Sequence, residues 1–244
     1  MGQSSTRRQL VVGGGSLILN SIALRAAAGP TDPLAQVRRI GLIVALGDRA
    51  EIAREGMTIF DGKLGYLPTD SWNLDELATR KAADLLAPRF EVVTTSFDRS
   101  SFLASGPDGP RSDNPKLTPL IQALPASVDA YLVIRRSPWV IAYYPRVEVY
   151  GGLGALGSTL AGLLGKHGMA YVNLEVAMVQ AGTGKTLKFQ RSVLVTENED
   201  HGDWADTADK MTDVQVQKLH ERIELVTAKA VTQALTSMKL AAPT

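Results

Sequence analysis

The segment Ala170–Val195 constrains this chain more than any other. From Ala170 to Gln180 apolar and other residues alternate, with Val172, Leu174, Val176 and Met178 falling on one face. The alternation resumes from Leu187 to Val195, placing Leu187, Phe189, Val193 and Val195 together. Gly182-Thr183-Gly184 lies between the two runs. A period of two on both sides of a glycine-rich turn predicts a β-hairpin with one face against a core. That hairpin needs helices to cover it, and the sequence supplies them. Asn73–Pro88 carries Leu74, Leu77, Ala82 and Leu85 on one face, with Asn73 as the expected cap and Pro88 as the stop. Thr212 and Gln215 form a capping-box pair ahead of Val216, Leu219, Ile223, Val226 and Ala230, which recur at helical spacing.

Buried strands are expected at Arg38–Asp48, at Arg89–Phe97 and at Val128–Arg136, with a short helical turn at Leu120–Pro125. Residues 49–72 read as irregular, with a short strand at Met57–Phe60. Residues 104–119, rich in proline and glycine, read as an exposed loop. The expected fold is α/β (α+β): a mixed sheet, with a C-terminal hairpin, packed against two or three helices.

The first 28 residues read as an export signal, followed by one domain over 29–244. Arg7 and Arg8 form its basic end, Leu10–Leu24 its apolar stretch, and Ala26-Ala27-Ala28 a small-residue cleavage site with the cut before Gly29. An apolar stretch of about 15 residues is shorter than the roughly 20 that span a bilayer. Thr6-Arg7-Arg8-Gln9-Leu10 resembles a twin-arginine signal, although a general secretory signal remains open. Gly13–Gly15 would destabilise a buried N-terminal helix at this position. The expected location is periplasmic or secreted.

Loss of the signal removes three arginines and no acid from a chain of 26 basic and 25 acidic residues. The remaining domain is weakly acidic and has no basic run, so nucleic acid is not an expected partner. The absence of cysteine excludes disulfides, thiolate metal sites and a lipid anchor through cysteine.

Two glycine stretches suggest phosphate chemistry. In "AGTGKT" a phosphate loop needs glycine where Val179 stands, and a strand follows instead of a helix, so Lys185 is a hairpin-tip residue. Gly152-x-Gly154-x-x-Gly157, followed by Glu175, has the offsets of a dinucleotide-binding turn and its ribose-binding acid. In that reading Val147 and Val149 form the preceding strand, and Gly154→Ala blocks the ligand while sparing the fold. The other reading is a glycine-rich loop or bent strand entering the hairpin, with membrane contact through 151–165 left open. Trp139, Tyr143, Tyr144 and Tyr150 form either a binding surface or sheet packing. Glu197, Asp200, Asp203, Asp206 and Asp209 form an acidic loop or a calcium site.

The order of elements, the "DAYLV" strand at Asp129–Val133 and the Thr183-Gly184-Lys185 tip resemble small α/β domains of bacterial envelope proteins. These are the amino-terminal domain of TolB and the periplasmic domains of the CsgG type. The resemblance implies an envelope binding or assembly component, acting on a protein partner or by self-association, with no catalytic residues and no cofactor. The alternative is a small exported oxidoreductase using Gly152, Gly154 and Gly157, with Glu175 on the ribose.

Overall fold

The computed structural model describes residues 32–55, 63–104, 116–137, 141–144, 147–149, 152–158, 167–200 and 207–241. The chain divides into two units, residues 1–32 and 33–244. Arg7, Arg8, Ala26 and Ala28 of the expected signal lie outside the described residues, as does most of the expected loop at 104–119.

The elements run β1 (Arg39–Ala45), β2 (Arg49–Glu55), β3 (Lys63–Pro68), α1 (Leu74–Leu86), β4 (Glu91–Thr94), α2 (Arg99–Ala104), α3 (Leu117–Gln122) and β5 (Ala130–Arg136). They continue with β6 (Ile141–Tyr144), β7 (Val147–Val149), β8 (Gly152–Ser158), β9 (His167–Gln180), β10 (Thr186–Asp200) and α4 (Asp213–Ser237). The fold is mixed α/β, with eight strands in one sheet and β6–β7 in a separate ribbon.

The hairpin expected from alternation is β9–β10, and it organises the sheet. One edge of β9 pairs with β10 along nearly its whole length. The other edge is shared: residues 174–180 pair antiparallel with β5, and residues 167–173 pair antiparallel with β8. From β5 the sheet continues through parallel β1 to parallel β4. From β8 it continues through parallel β2 to antiparallel β3. The sheet therefore forks at the step from Asn173 to Leu174.

Both faces are covered. On the first face Val172, Leu174, Val176 and Met178 join α1 and α4 in one core cluster. On the second, Ala177 and Val179 pack with Tyr131, Val133, Phe102 of α2, and Leu117 and Ile121 of α3. Tyr171 forms a smaller cluster with Ala53 and Leu156 at the β8 end. This burial on both sides explains why β5 reads as a near-continuous apolar run.

Several expectations are corrected. Residues 49–72 hold the β2–β3 pair, of which β2 is rich in charge and β3 is short and broken by Gly65; the strand expected at Met57–Phe60 lies outside the described residues. The helix α2 was not expected, and α3 starts at Leu117, inside the stretch read as loop. Asn73 adopts a left-handed conformation and makes no side-chain cap bond, whereas the Thr212–Gln215 capping box forms as expected. The buried stripe of α1 is Leu74, Ala78, Ala82 and Leu86. Phe189 packs on the second face, against the cluster of Ala177, while Leu187, Val193 and Val195 meet the first. Register shifts at Thr186/Lys188 and Gln190/Val193 each move the alternation by one residue. The acidic stretch also begins on a strand, because β10 runs to Asp200.

Val176 is fully buried in the first core cluster, so Val176→Asp should cost about 4 kcal/mol or more. Lys185 is exposed at the turn, and Lys185→Ala should stay within about 0.5 kcal/mol. Urea unfolding of both variants tests the assignment of faces; equal losses would contradict it.

Candidate functional site

The fork brings polar residues together in the middle of the sheet. Arg135 of β5 and Glu175 of β9 are direct cross-strand partners, so their side chains project from the same face. Their side chains are 3% and 1% exposed. Arg135 Nε donates to Glu175 Oε1 at 2.8 Å, and Nη2 donates to the same oxygen. Asn173 and Ser137 are also fully buried, and the Ser137 amide donates to the Asn173 carbonyl at 2.8 Å. These groups sit between the two apolar clusters of the second face.

Beyond Asn173 the same face carries Tyr171, whose hydroxyl lies 3.3 Å from Glu51 Oε2. Burial raises the pKa of Glu51, and the Tyr171 hydrogen bond and the charges of Arg136 and Arg49 oppose that rise.

A second set of contacts gathers where β1, β4 and β5 end. Gly47 follows β1. Its carbonyl accepts from Arg99 Nη2 at 2.8 Å. Arg99 Nε meets Asp75 Oδ2 at 2.5 Å, and Asp75 Oδ1 accepts from the Leu46 amide at 2.8 Å. Arg136, the last residue of β5, lies across Gly47 and Gly152. A Cβ added at Gly47 would sit 3.1 Å from Arg136 Nη1, and one at Gly152 would sit 3.3 Å from its Cδ. Both glycines have positive φ, 109° and 100°, a region that side chains disfavour.

The sequence candidates fall as follows. Gly152, Gly154 and Gly157 lie within β8, paired with β2 on one side or β9 on the other, and not in a turn leading to a helix. Val147 and Val149 belong to the separate β6–β7 ribbon. A Cβ on Gly154 would overlap the backbone of Glu51 on the neighbouring strand. Gly154→Ala would thus damage the sheet itself. Glu175 is engaged by Arg135. Lys185 lies between β9 and β10, in the hairpin connection. Residues 159–165 of the suggested membrane-contact stretch, Trp139, Tyr150, Asp203 and Asp206 lie outside the described residues, as do the side chains of Tyr143, Tyr144, Glu197 and Asp200. Asp209 lies in a 3-10 turn at Ala208–Lys210. Among the described residues no three histidine or acidic side chains come together as metal ligands, and no helix is long and apolar enough to cross a membrane.

Sequence reasoning missed Arg135, Arg136, Gly47 and Arg99. The only available signal was a pair of arginines closing an otherwise apolar strand.

Two measurements follow. Breaking a buried ion pair costs about 3–5 kcal/mol, whereas an apolar replacement of both partners is close to neutral. Glu175→Ala should show that loss in urea unfolding, and Arg135→Met with Glu175→Leu should recover most of it. A double variant as unstable as the single one would contradict the assignment of the loss to a buried charge left without its counter-charge. For Glu51, the raised pKa means the folded state keeps its proton to higher pH than the unfolded chain. That contribution is full below the ordinary carboxylate value and is lost as pH rises through the raised pKa. Glu51→Gln should therefore lose less stability than the wild type as pH rises above the ordinary carboxylate value. Parallel pH profiles for the two proteins would refute this.

No family model matches the chain, and no curated protein matches it in sequence. Among solved structures it is similar to protein XCC0632 of Xanthomonas campestris, described with family DUF330: 8% identity, 86% of this chain and 89% of that one, TM-score 0.42. It is also similar to a hypothetical protein of Chlamydia trachomatis, at 7% identity over 82% and 95% of the two chains with TM-score 0.35. A third is the lipoprotein GNA1162 of Neisseria meningitidis, at 12% identity over 82% and 98% with TM-score 0.25.

Proposed function

We propose that this chain is exported and serves in the cell envelope as a binding or assembly component, with no chemistry of its own. The observation that carries the reading is the position of the boundary between the two units. It falls at residue 32, just after the expected cut before Gly29. Among the described residues the first core residue is Leu34. The Arg7-Arg8 pair and the Ala26-Ala27-Ala28 site give that leader the composition of an export signal. The resemblance of the Asp129–Val133 strand and the Thr183-Gly184-Lys185 tip to TolB and CsgG-type domains, read from the sequence alone, favours an envelope role. Binding is favoured over catalysis because Glu175, the buried carboxylate of the sheet, is engaged by Arg135 and sealed from solvent.

Fractionation and N-terminal sequencing of the expressed full chain test the proposal. The protein should appear outside the cytoplasm with an N-terminus near Gly29. Arg7→Lys combined with Arg8→Lys should hold it in the cytoplasm. Full-length protein with Met1 intact in the cytosol, and no processed form elsewhere, would overturn it.

A further inference from the structure

We propose that β3 is the contact of a two-fold symmetric dimer, in which it pairs antiparallel with β3 of a second copy of this chain about Gly65. This deepens the assembly reading above by naming the partner. Dimerisation is read on purified protein and export by fractionation, so either can fail without the other.

Topology supplies the edge. Among the described residues β3, β4 and β10 each pair with one neighbour only, and so form the margins of the large sheet. Natural edge strands are kept from pairing with other chains by shortness, bulges, charge and proline. β4 is only four residues long. β10 carries two register shifts against β9. β3 runs for six residues against β2 without a shift. Its own protective residues, Lys63 and Pro68, stand at its two ends and leave the middle open.

The middle of this edge is apolar and exposed. Leu64 is 45% exposed and Tyr66 47%. Both belong to the second face, because Leu64 stands opposite Ala53 of the small Tyr171 cluster and Tyr66 stands opposite Glu51. Arg49 of β2 lies over the Tyr66 ring at 4.5 Å, so the ring is held at the margin without being buried.

Symmetry selects the partner. A two-fold axis through Gly65, perpendicular to the sheet, sets Leu64 opposite Tyr66 of the partner subunit and Tyr66 opposite Leu64 of the partner subunit. Aliphatic and aromatic side chains in such cross-strand positions stabilise a sheet. Lys63 falls opposite Leu67 of the partner subunit, where its methylene stem covers apolar surface and no like charge faces it. A shift of two residues would set Leu64 against Pro68 or Tyr66 against Gly62, and a shift of one would set second-face side chains against first-face ones. The axis is also free of bulk. On the first face a Cβ added at Gly65 would lie 3.2 Å from the Cβ of Ala208, so two small residues from each copy meet there. A strand of another protein would gain the same backbone hydrogen bonds, but β3 matches itself at both apolar positions. The contact is isologous and closes at two copies.

Sedimentation velocity of the purified full chain tests the contact. The wild type should form a dimer as its concentration rises. Leu64→Glu and, separately, Tyr66→Lys should each weaken it about tenfold or more, since each change acts twice across the axis. Both variants should keep the circular dichroism of the wild type, because both side chains are exposed. Mixing the two variants should restore the dimer: the introduced acid then faces the introduced base at one pairing, and the other pairing stays Leu64 with Tyr66. A wild type that stays monomeric up to its solubility limit would overturn the dimer. A dimer indifferent to both substitutions, such as one held by residues 1–32, would overturn β3 as the contact. No recovery on mixing would overturn the register about Gly65. If one variant fails to fold, the other still tests the contact.

Discussion

The structure depends on one long strand whose inner edge serves two neighbours. β9 spends residues 174–180 on β5 and residues 167–173 on β8, while β10 runs along its other edge. A strand in that position is buried on both faces and along both edges. Any polar side chain it carries must find a partner inside the sheet, because unpaired burial of a charge costs far more than a surface contact returns. Arg135 meets that demand for Glu175 from the opposite position on β5. The pair tolerates one register only, since a one-residue slip would turn each side chain to the other face. A buried pair of this kind adds little net stability over apolar residues.

The fork also explains the glycines. β8 must begin beside Asn173, one residue from where β5 ends at Leu174. The backbone turns into that space at Gly152 with positive φ, and Arg136 fills the room that a side chain would have taken. Gly154 is required by the close approach of the Glu51 backbone on β2. Two of the three glycines that resemble a dinucleotide fingerprint, Gly152 and Gly154, are thereby accounted for by strand packing, whereas a Cβ at Gly157 would meet open space.

The division of helices follows from the same arrangement. α1 and α4 cover the continuous first face, where the apolar residues of both halves of the sheet merge into one cluster. The second face is interrupted by Asn173 and Glu175, and its apolar residues split into two clusters. Short helices α2 and α3 cover the β5 side of it.

By itself the sequence determined the elements whose signal is local. Alternation around Gly182–Gly184 set the hairpin, helical spacing and a reciprocal cap set α4, and apolar runs set β1 and β5. These depend on period and on short-range hydrogen bonds, which are written along the chain. Tertiary structure alone decided the rest. The strand β2 is mostly charged, and its place in the sheet follows from pairing with β8 on one side and β3 on the other. The bulges that move Phe189 to the second face are settled by pairing with β9. The meeting of Arg135 with Glu175, 40 residues apart, and of Arg136 with Gly47 and Gly152 follows from strand order and register. No window of sequence contains those distances, because each is set by which strands become neighbours once the core has closed.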